Sequence, residues 1–346
     1  MPHPLRLFLL PFSLIYASAV FVRNRFFDLG VFKSQKGALP SIVIGNIAAG
    51  GTGKTPHAEY LLRYLSQSHS PGFLSRGYGR KTRGYVFAGP NSTAFSIGDE
   101  PMQIDQKFPA LPIAVCEDRL EGIRRLKAES DASILVLDDA FQHRKLKADL
   151  YILLVDFNFP YWSDWPLPAG NLRDNVFEKR RADVVIFTKC PQNLPKAELE
   201  KYSLKADLTK NQLLFFTCFS YEKPIQISGK KMELNPGQKV VAFSGIAQTD
   251  QFKKHLENQY DLKDYKAFGD HHIFSQAEIN NLWNECGKFA VPGMVLVTTE
   301  KDAVRLKEIA GIEDIPIFFI PIEVRFLNRE DEFLRLIDKT VVQNLQ

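Results

Sequence analysis

Short apolar runs alternate along most of the chain with longer stretches whose apolar positions recur every three or four residues. The runs at 41–44, 72–75, 112–116, 133–139, 150–155, 184–188 and 213–218 are too short for helices and rich in Ile, Val, Leu and Phe, which predicts buried strands. Between them, a helix beginning near Lys54 and running to residue 67 sets Tyr60, Leu61, Tyr64 and Leu65 on one face, and Ser70-Pro71-Gly72 ends it. Residues 119–127 form a second amphipathic helix. Strands alternating with helices predict an α/β fold, a parallel sheet covered on both faces. The Lys-, Pro- and Gly-rich stretch 222–237 marks a boundary. Beyond it a smaller α/β unit is predicted, with strands at 239–245 and 294–299 and helices at 250–260 and 275–289. The expected organisation is an N-terminal segment 1–36, a first domain 37–222 and a second domain 223–346.

The N-terminal segment changes this picture. Residues 7–22 carry no charge and are apolar all round, with basic residues on both sides. As a helix, 16 residues at ~1.5 Å each cover about 24 Å, short of a ~30 Å hydrocarbon core, and Pro11 is expected to interrupt the first turns. An immersed or marginally spanning membrane anchor is therefore expected. Ala17-Ser18-Ala19 resembles a signal-peptide cleavage site, which makes a secretory signal the rival reading of this run. The net charge of +4 is carried by this segment, through Arg6, Arg23, Arg25, Lys33 and Lys36 against Asp28. A local basic end suits anionic lipid, whereas the balanced remainder offers no broad basic face for nucleic acid. Cys116, Cys190, Cys218 and Cys286 form no C-x-x-C pair and read as reduced, structural thiols of a cytosolic domain.

Residues 41–55 bring in chemistry. The strand at 41–44 leads into Ala48, Ala49, Gly50, Gly51, Thr52, Gly53, Lys54 and Thr55, a glycine-rich loop at the head of a helix. Glycines let such a loop curl so that backbone N–H groups face phosphate oxygens. Lys54 can then reach the β- and γ-phosphates, and the Thr55 hydroxyl can take a position on Mg2+. The strict pattern has glycine where Ala48 stands, so that alanine must accept the local geometry.

Further polar groups fall at predicted strand ends. Arg76-Gly77-Tyr78-Gly79-Arg80 follows the strand at 72–75, and its arginines either meet acidic groups of a substrate or remain solvated. Asp99 and Glu100 follow a strand-like run and precede Pro101, which starts a helix in the permitted first turn. This pair could serve as base and metal ligand, or simply cap the helix. Asp138 and Asp139 end the run at 133–139 in the Walker B manner, where a carboxylate holds Mg2+ opposite the phosphate loop. Gln142, His143 and Arg144 continue onto the same face. Thr188-Lys189-Cys190-Pro191 stands where GTPases carry N/T-K-x-D, but Pro191 replaces the aspartate and guanine preference loses its support. In the second unit the pair His271-His272 lacks a third ligand at helical spacing.

Together these stretches resemble the tetraacyldisaccharide 4'-kinase family, the lipid A kinases of Gram-negative bacteria. The resemblance rests on the apolar N-terminus, GNIAAGGTGKTP at 45–56, SRGYGR at 75–80, GDE at 98–100, DDAFQHR at 138–144, LPAGNLRD at 167–174, FSGIA at 243–247, DHH at 270–272 and TTEKDAVRL at 298–306. The chain departs from the usual family pattern at Ala140, Asn171, Asp174 and Gln248-Thr249, where Gly, Pro, Glu and Asn-Pro are common. The first and last of these read as backbone or packing positions.

The resemblance implies a P-loop kinase with ATP and Mg2+ as cofactors, phosphorylating the 4'-hydroxyl of a tetraacyldisaccharide 1-phosphate to give lipid IVA. It places the enzyme at the cytoplasmic face of the inner membrane, with the glycolipid and the membrane surface as partners and no obligate protein partner. By the same resemblance Asp99 is the base, partnered by His271 or His272, with Lys54 on the phosphates. Thr55, Glu100, Asp138, Asp139 and Gln142 would surround the metal. Arg76, Tyr78, Arg80, Arg119, His143 and Asp174 would meet the substrate. Two other readings compete: a membrane-recruited P-loop switch controlling a protein, and a dinucleotide site, which fits poorly because Lys54-Thr55 replaces the third glycine of G-x-G-x-x-G.

Overall fold

The structure is a computed structural model that describes residues 4–229, 232–288 and 293–345. Residues 1–3, 230–231, 289–292 and 346 lie outside the described residues, and with them parts of the expected segment 1–36, linker 222–237, helix 275–289 and second domain.

Ile42 and Ile44 of the strand Ser41–Gly45 join one core and Val43 the other, as the two-residue period of a strand requires. On the first side the helix Lys54–Leu65 covers the sheet with Ala58, Leu61, Leu62 and Leu65. On the other, Arg119–Glu129 contributes Ile123 and Leu126. A strand dry on both faces belongs at the centre of a parallel sheet. The nine-stranded sheet has the order Ile322–Phe326, Leu213–Tyr221, Val184–Thr188, Leu150–Asp156, Ser41–Gly45, Ile134–Asp138, Pro71–Ser75, Ile113–Val115 and Val86–Phe87. Only the outermost strand at each end runs antiparallel.

A five-stranded sheet forms the second lobe, in the order Ile225–Gln226, Ile317–Ile320, Val295–Thr299, Lys239–Ser244 and Asp261–Ala267. Residues 322–345 do not stay with it. Ile322–Phe326 pairs with Thr217–Tyr221, and the helix Glu330–Leu345 buries Phe333, Ile337 and Val341 in the core that holds Leu61 and Leu62. The second lobe is thus inserted into the first, which departs from the expected division at 223–346. The strand Leu213–Tyr221 would otherwise offer an open edge, and the returning strand covers it.

Two local readings also change. The strand-like run before Asp99 is a short helix, Ala94–Ile97, whose Thr93 cap accepts from the Ser96 N–H while the Ser96 hydroxyl accepts from the Thr93 N–H. Pro11 lies in the first turn of the helix Leu10–Asp28, where a missing N–H costs nothing, so it starts this helix rather than interrupting it. The helix lies along the first lobe. The Arg6 guanidinium donates to the Pro168 and Gly170 carbonyls, Tyr16 to the Arg173 carbonyl and Asn24 to Asp174. Its outer side exposes Phe12, Leu14 and Ile15, and the 3-10 turn Pro4–Leu9 before it exposes Phe8. The stretch Arg6–Asp28 is long and apolar enough to cross a membrane, by length and composition.

Phe333 packs on Phe326 with the rings tilted by 33° and 4.8 Å between centres, and meets Phe215 edge-on at 5.4 Å. Phe333→Ala is expected to destabilise the first lobe by about 3–5 kcal/mol, read as a lower urea midpoint.

Candidate active site

The glycine-rich loop leaves the central strand and enters Lys54–Leu65, with left-handed backbone at Gly50 and Gly53, φ 113° and 85°. Ala48 is accommodated because the chain there is extended, bridged to Leu172, while the Ala49 N–H donates to the Asn171 carbonyl at 2.6 Å. Asn46 organises the loop entrance. Its amide donates to Thr52 Oγ1 at 2.9 Å, and its carbonyl accepts from Gln142 Nε2 at 2.8 Å. Gln142, expected among metal ligands, thus has its amide nitrogen committed to the backbone.

Asp138 and Asp139 end the neighbouring strand and differ sharply. Asp138 is buried, and burial pushes its carboxyl up to about 7; Asp139 and Glu100 add to this, while Lys54 and Arg119 oppose it. Its Oδ1 has no hydrogen-bond partner. Asp139 is also desolvated, but hydrogen bonds from Arg173 and the charge of Lys54 outweigh burial and hold it well below the usual carboxylate range. Arg173 Nη1 donates to Asp139 Oδ2 at 3.0 Å, and Lys54 Nζ stands 3.7 Å from Oδ1. Among the described residues no three His, Cys, Asp or Glu side chains converge as a ready metal cage. An orphaned buried carboxylate oxygen within the field of Lys54 nevertheless fits a hard cation that takes few protein ligands and shares the rest with phosphate and water.

The helix Asp99–Lys107 begins at the GDE motif. Gly98 has φ 95°, and a Cβ there would come within 2.9 Å of the Tyr78 carbonyl, so glycine lets the RGYGR turn and this helix start pack together. Across the cleft, His271 Nδ1 is 2.9 Å from Asp99 Oδ2. Lys301 Nζ lies 3.2 Å from His271 Nε2 and Arg305 Nη2 lies 2.9 Å from Nδ1, so a cationic side chain stands at each ring nitrogen. His272 turns away to Glu278, which settles which histidine faces Asp99. Arg305 Nε donates to Asp99 Oδ1 at 2.8 Å, and its Nη2 engages Oδ2. Burial opposes ionisation of Asp99, but the hydrogen bonds from Arg305 and His271 prevail and hold its carboxyl well below the usual range. Lys301 also pairs with Glu100 at 3.0 Å.

The expected substrate residues divide. Arg76 and Tyr78 are exposed, and the Tyr78 ring lies 5.7 Å from that of His271. His143 is half-buried, and its imidazole is pushed down to about 4 by burial, helped by Arg119. Arg80, Arg119 and Asp174 make contacts within the chain, while Arg80 Nε and Nη1, Arg119 Nε and Asp174 Oδ2 are buried without a hydrogen-bond partner. Arg80 pairs with Glu117, Arg119 donates to the Cys116, Glu117 and Asp139 carbonyls, and Asp174 holds Asn24 of the N-terminal helix. Arg173, Lys301 and Arg305 stand inside the motifs LPAGNLRD and TTEKDAVRL, where their charge is visible in the sequence and their partners are not.

A parallel sheet whose central strand feeds a glycine-rich loop and a helix, with acidic strand ends beside it, defines a P-loop nucleotide-binding protein. A family model described as tetraacyldisaccharide-1-P 4'-kinase, LpxK, matches residues 5–342. The chain belongs to that family. A tetraacyldisaccharide 4'-kinase of Flavobacterium johnsoniae is 39% identical over 99% of both chains. One from Bacteroides thetaiotaomicron is 40% identical over 94% of this chain and 90% of its own. The crystal structure of LpxK from Aquifex aeolicus in complex with ATP superposes with a TM-score of 0.77 at 29% identity, covering 97% of this chain and 99% of that one.

Burial pushes His57, at the head of the loop helix, down to about 4 from an ordinary 6.5. The unfolded chain therefore binds the extra proton, so this contribution is complete above pH 6.5 and is lost as pH falls to 4. About 3 kcal/mol should disappear over that window, visible in urea midpoints, and His57→Asn should flatten the profile.

Proposed function

We propose that this chain is an ATP-dependent kinase that phosphorylates the 4'-hydroxyl of a tetraacyldisaccharide 1-phosphate, giving lipid IVA in lipid A biosynthesis. The observation that carries the residue assignment is the Asp99–His271 contact made between the lobes, in a family of kinases with this acceptor. The switch reading is not favoured, since the relatives are kinases.

Phosphoryl transfer needs positioning and charge neutralisation more than covalent help. Lys54 lies close enough to the loop to meet the outer phosphates, and Thr55 follows it at the helix start. Mg2+, when bound, would neutralise charge on the phosphates, held by Thr55, Asp138 and Asp139, with Glu100 nearby. Asp99 accepts the acceptor hydroxyl's hydrogen. Its strongly ionised state makes it a weak base, but in a loose transition state the nucleophile needs orientation more than early deprotonation. His271 fixes one Asp99 oxygen and Arg305 grips both, so the carboxylate is aimed rather than free to rotate. Arg76, Tyr78 and His143 are left to face the sugar and its phosphate.

The exposed apolar side of Leu10–Asp28 rests in the cytoplasmic leaflet of the inner membrane, beside the basic groups of the same segment, so the greasy acceptor reaches the cleft without crossing water.

With labelled ATP, label should enter the lipid fraction when the tetraacyl disaccharide is supplied. Asp99→Asn should lower kcat by about 10²- to 10⁴-fold while sparing nucleotide affinity. Label appearing only as free phosphate in the presence of that lipid would overturn the assignment. Protons should compete with the cation at Asp138. The Mg2+ concentration giving half-maximal rate should rise up to about tenfold per pH unit below 7 and level off above it, in Mg2+ titrations at pH 6, 7 and 8.

A further inference from the structure

The phosphate loop is clasped from behind by its carbonyl oxygens. Thr188 Oγ1 donates to the Thr52 carbonyl at 2.9 Å, His57 Nδ1 to the Gly53 carbonyl at 2.7 Å, and Lys189 Nζ to the Gly51 carbonyl. In a trans peptide the C=O and the following N–H point in opposite directions. Holding the Thr52 and Gly53 carbonyls therefore turns the Gly53 and Lys54 N–H groups forward, where a phosphate cradle needs donors.

Lys189 differs from the other two clasps because it also reaches the second lobe. Its three ammonium hydrogens meet three acceptors from three segments: the Gly51 carbonyl, Asp156 Oδ2 at 2.8 Å, and Gln248 Oε1. Its backbone is held from the same side, for Gln251 Nε2 donates to the Lys189 carbonyl at 3.3 Å. The residue is buried and its backbone is left-handed, φ 59°, so little freedom remains to the stem. Burial depresses the ammonium's proton affinity, Asp156 restores part of it, and Lys54 opposes it. Gln248 occupies a position that read as backbone or packing, yet its amide oxygen is the second lobe's acceptor for this ammonium.

We propose that Lys189 is a positioning residue that couples the seating of the second lobe, through Gln248, to the shape of the phosphate loop, and so to nucleotide affinity. The lysine of Thr188-Lys189-Cys190-Pro191 then serves the loop and the opposite lobe rather than a base. The inference rests on the ATP-dependent reading above.

ATP affinity measured by calorimetry on the full chain, without acceptor, tests it. Gln248→Ala should weaken binding about three- to tenfold with the melting temperature unchanged, and Lys189→Met should weaken it by about tenfold or more. The double variant should bind no more weakly than Lys189→Met alone, because the two changes remove one shared contact. Lys189→Arg should recover part of the loss. If Lys189→Met fails to fold because Asp156 is left buried and unpaired, Lys189→Met with Asp156→Asn removes that charge, and Gln248→Ala is compared in that background. Strict additivity, or a Gln248→Ala protein that binds ATP like the parent, would overturn the coupling. A parent chain that does not bind ATP would overturn the kinase reading instead, so the two failures are read apart.

Discussion

A single carboxylate shared between two lobes ties the cleft together. Asp99 begins a helix of the first lobe, but the groups that hold it, His271 and Arg305, belong to the second. Such a group is costly to bury unless its partners arrive together. Placing the second lobe correctly is therefore part of making the first lobe's site, and the neighbouring pair Lys301 to Glu100 repeats the arrangement one residue on. Farther along the same helices, Lys107 joins Glu59 of the loop helix to Glu300 of the second lobe. The phosphate loop, the Asp99 helix and the second lobe thus meet along one line of charge.

The two strand-end aspartates show how neighbours with identical chemistry are separated by surroundings. Asp139 has Arg173 and Lys54 for company and is held well below the usual carboxylate range; Asp138 is buried with one oxygen unpartnered, and burial pushes its carboxyl up to about 7. Arg173 performs a second service through Asn46, so the acidic strand end and the loop entrance are tied by one guanidinium.

Legibility followed sequence distance. The central strand, the loop and the Asp138-Asp139 strand end were readable because Ile, Val and Gly act on their own few residues. The resemblance then pointed to His271 from a motif 172 positions beyond Asp99. Arg305, 206 positions away, stood in a quoted motif, but no local pattern says that its guanidinium crosses a cleft. The strand Asp261–Ala267 escaped notice because it lies at a sheet edge, half wet, and its Asp-Leu-Lys-Asp-Tyr-Lys-Ala sequence has no apolar run. Ile322–Phe326 carries strand-forming residues, but its return to the first sheet is a fact of topology that no composition reveals.

That return bears on how the molecule is made. During synthesis the inserted lobe leaves the ribosome whole, with its strands Lys239–Ser244, Val295–Thr299 and Ile317–Ile320 complete, while the host sheet still lacks its last strand and the helix that seals Phe215. The nascent chain must carry an unsealed hydrophobic face until the final helix emerges. Premature termination a few residues short of it would release a protein with a finished guest and an open host, a natural client for chaperones and proteases.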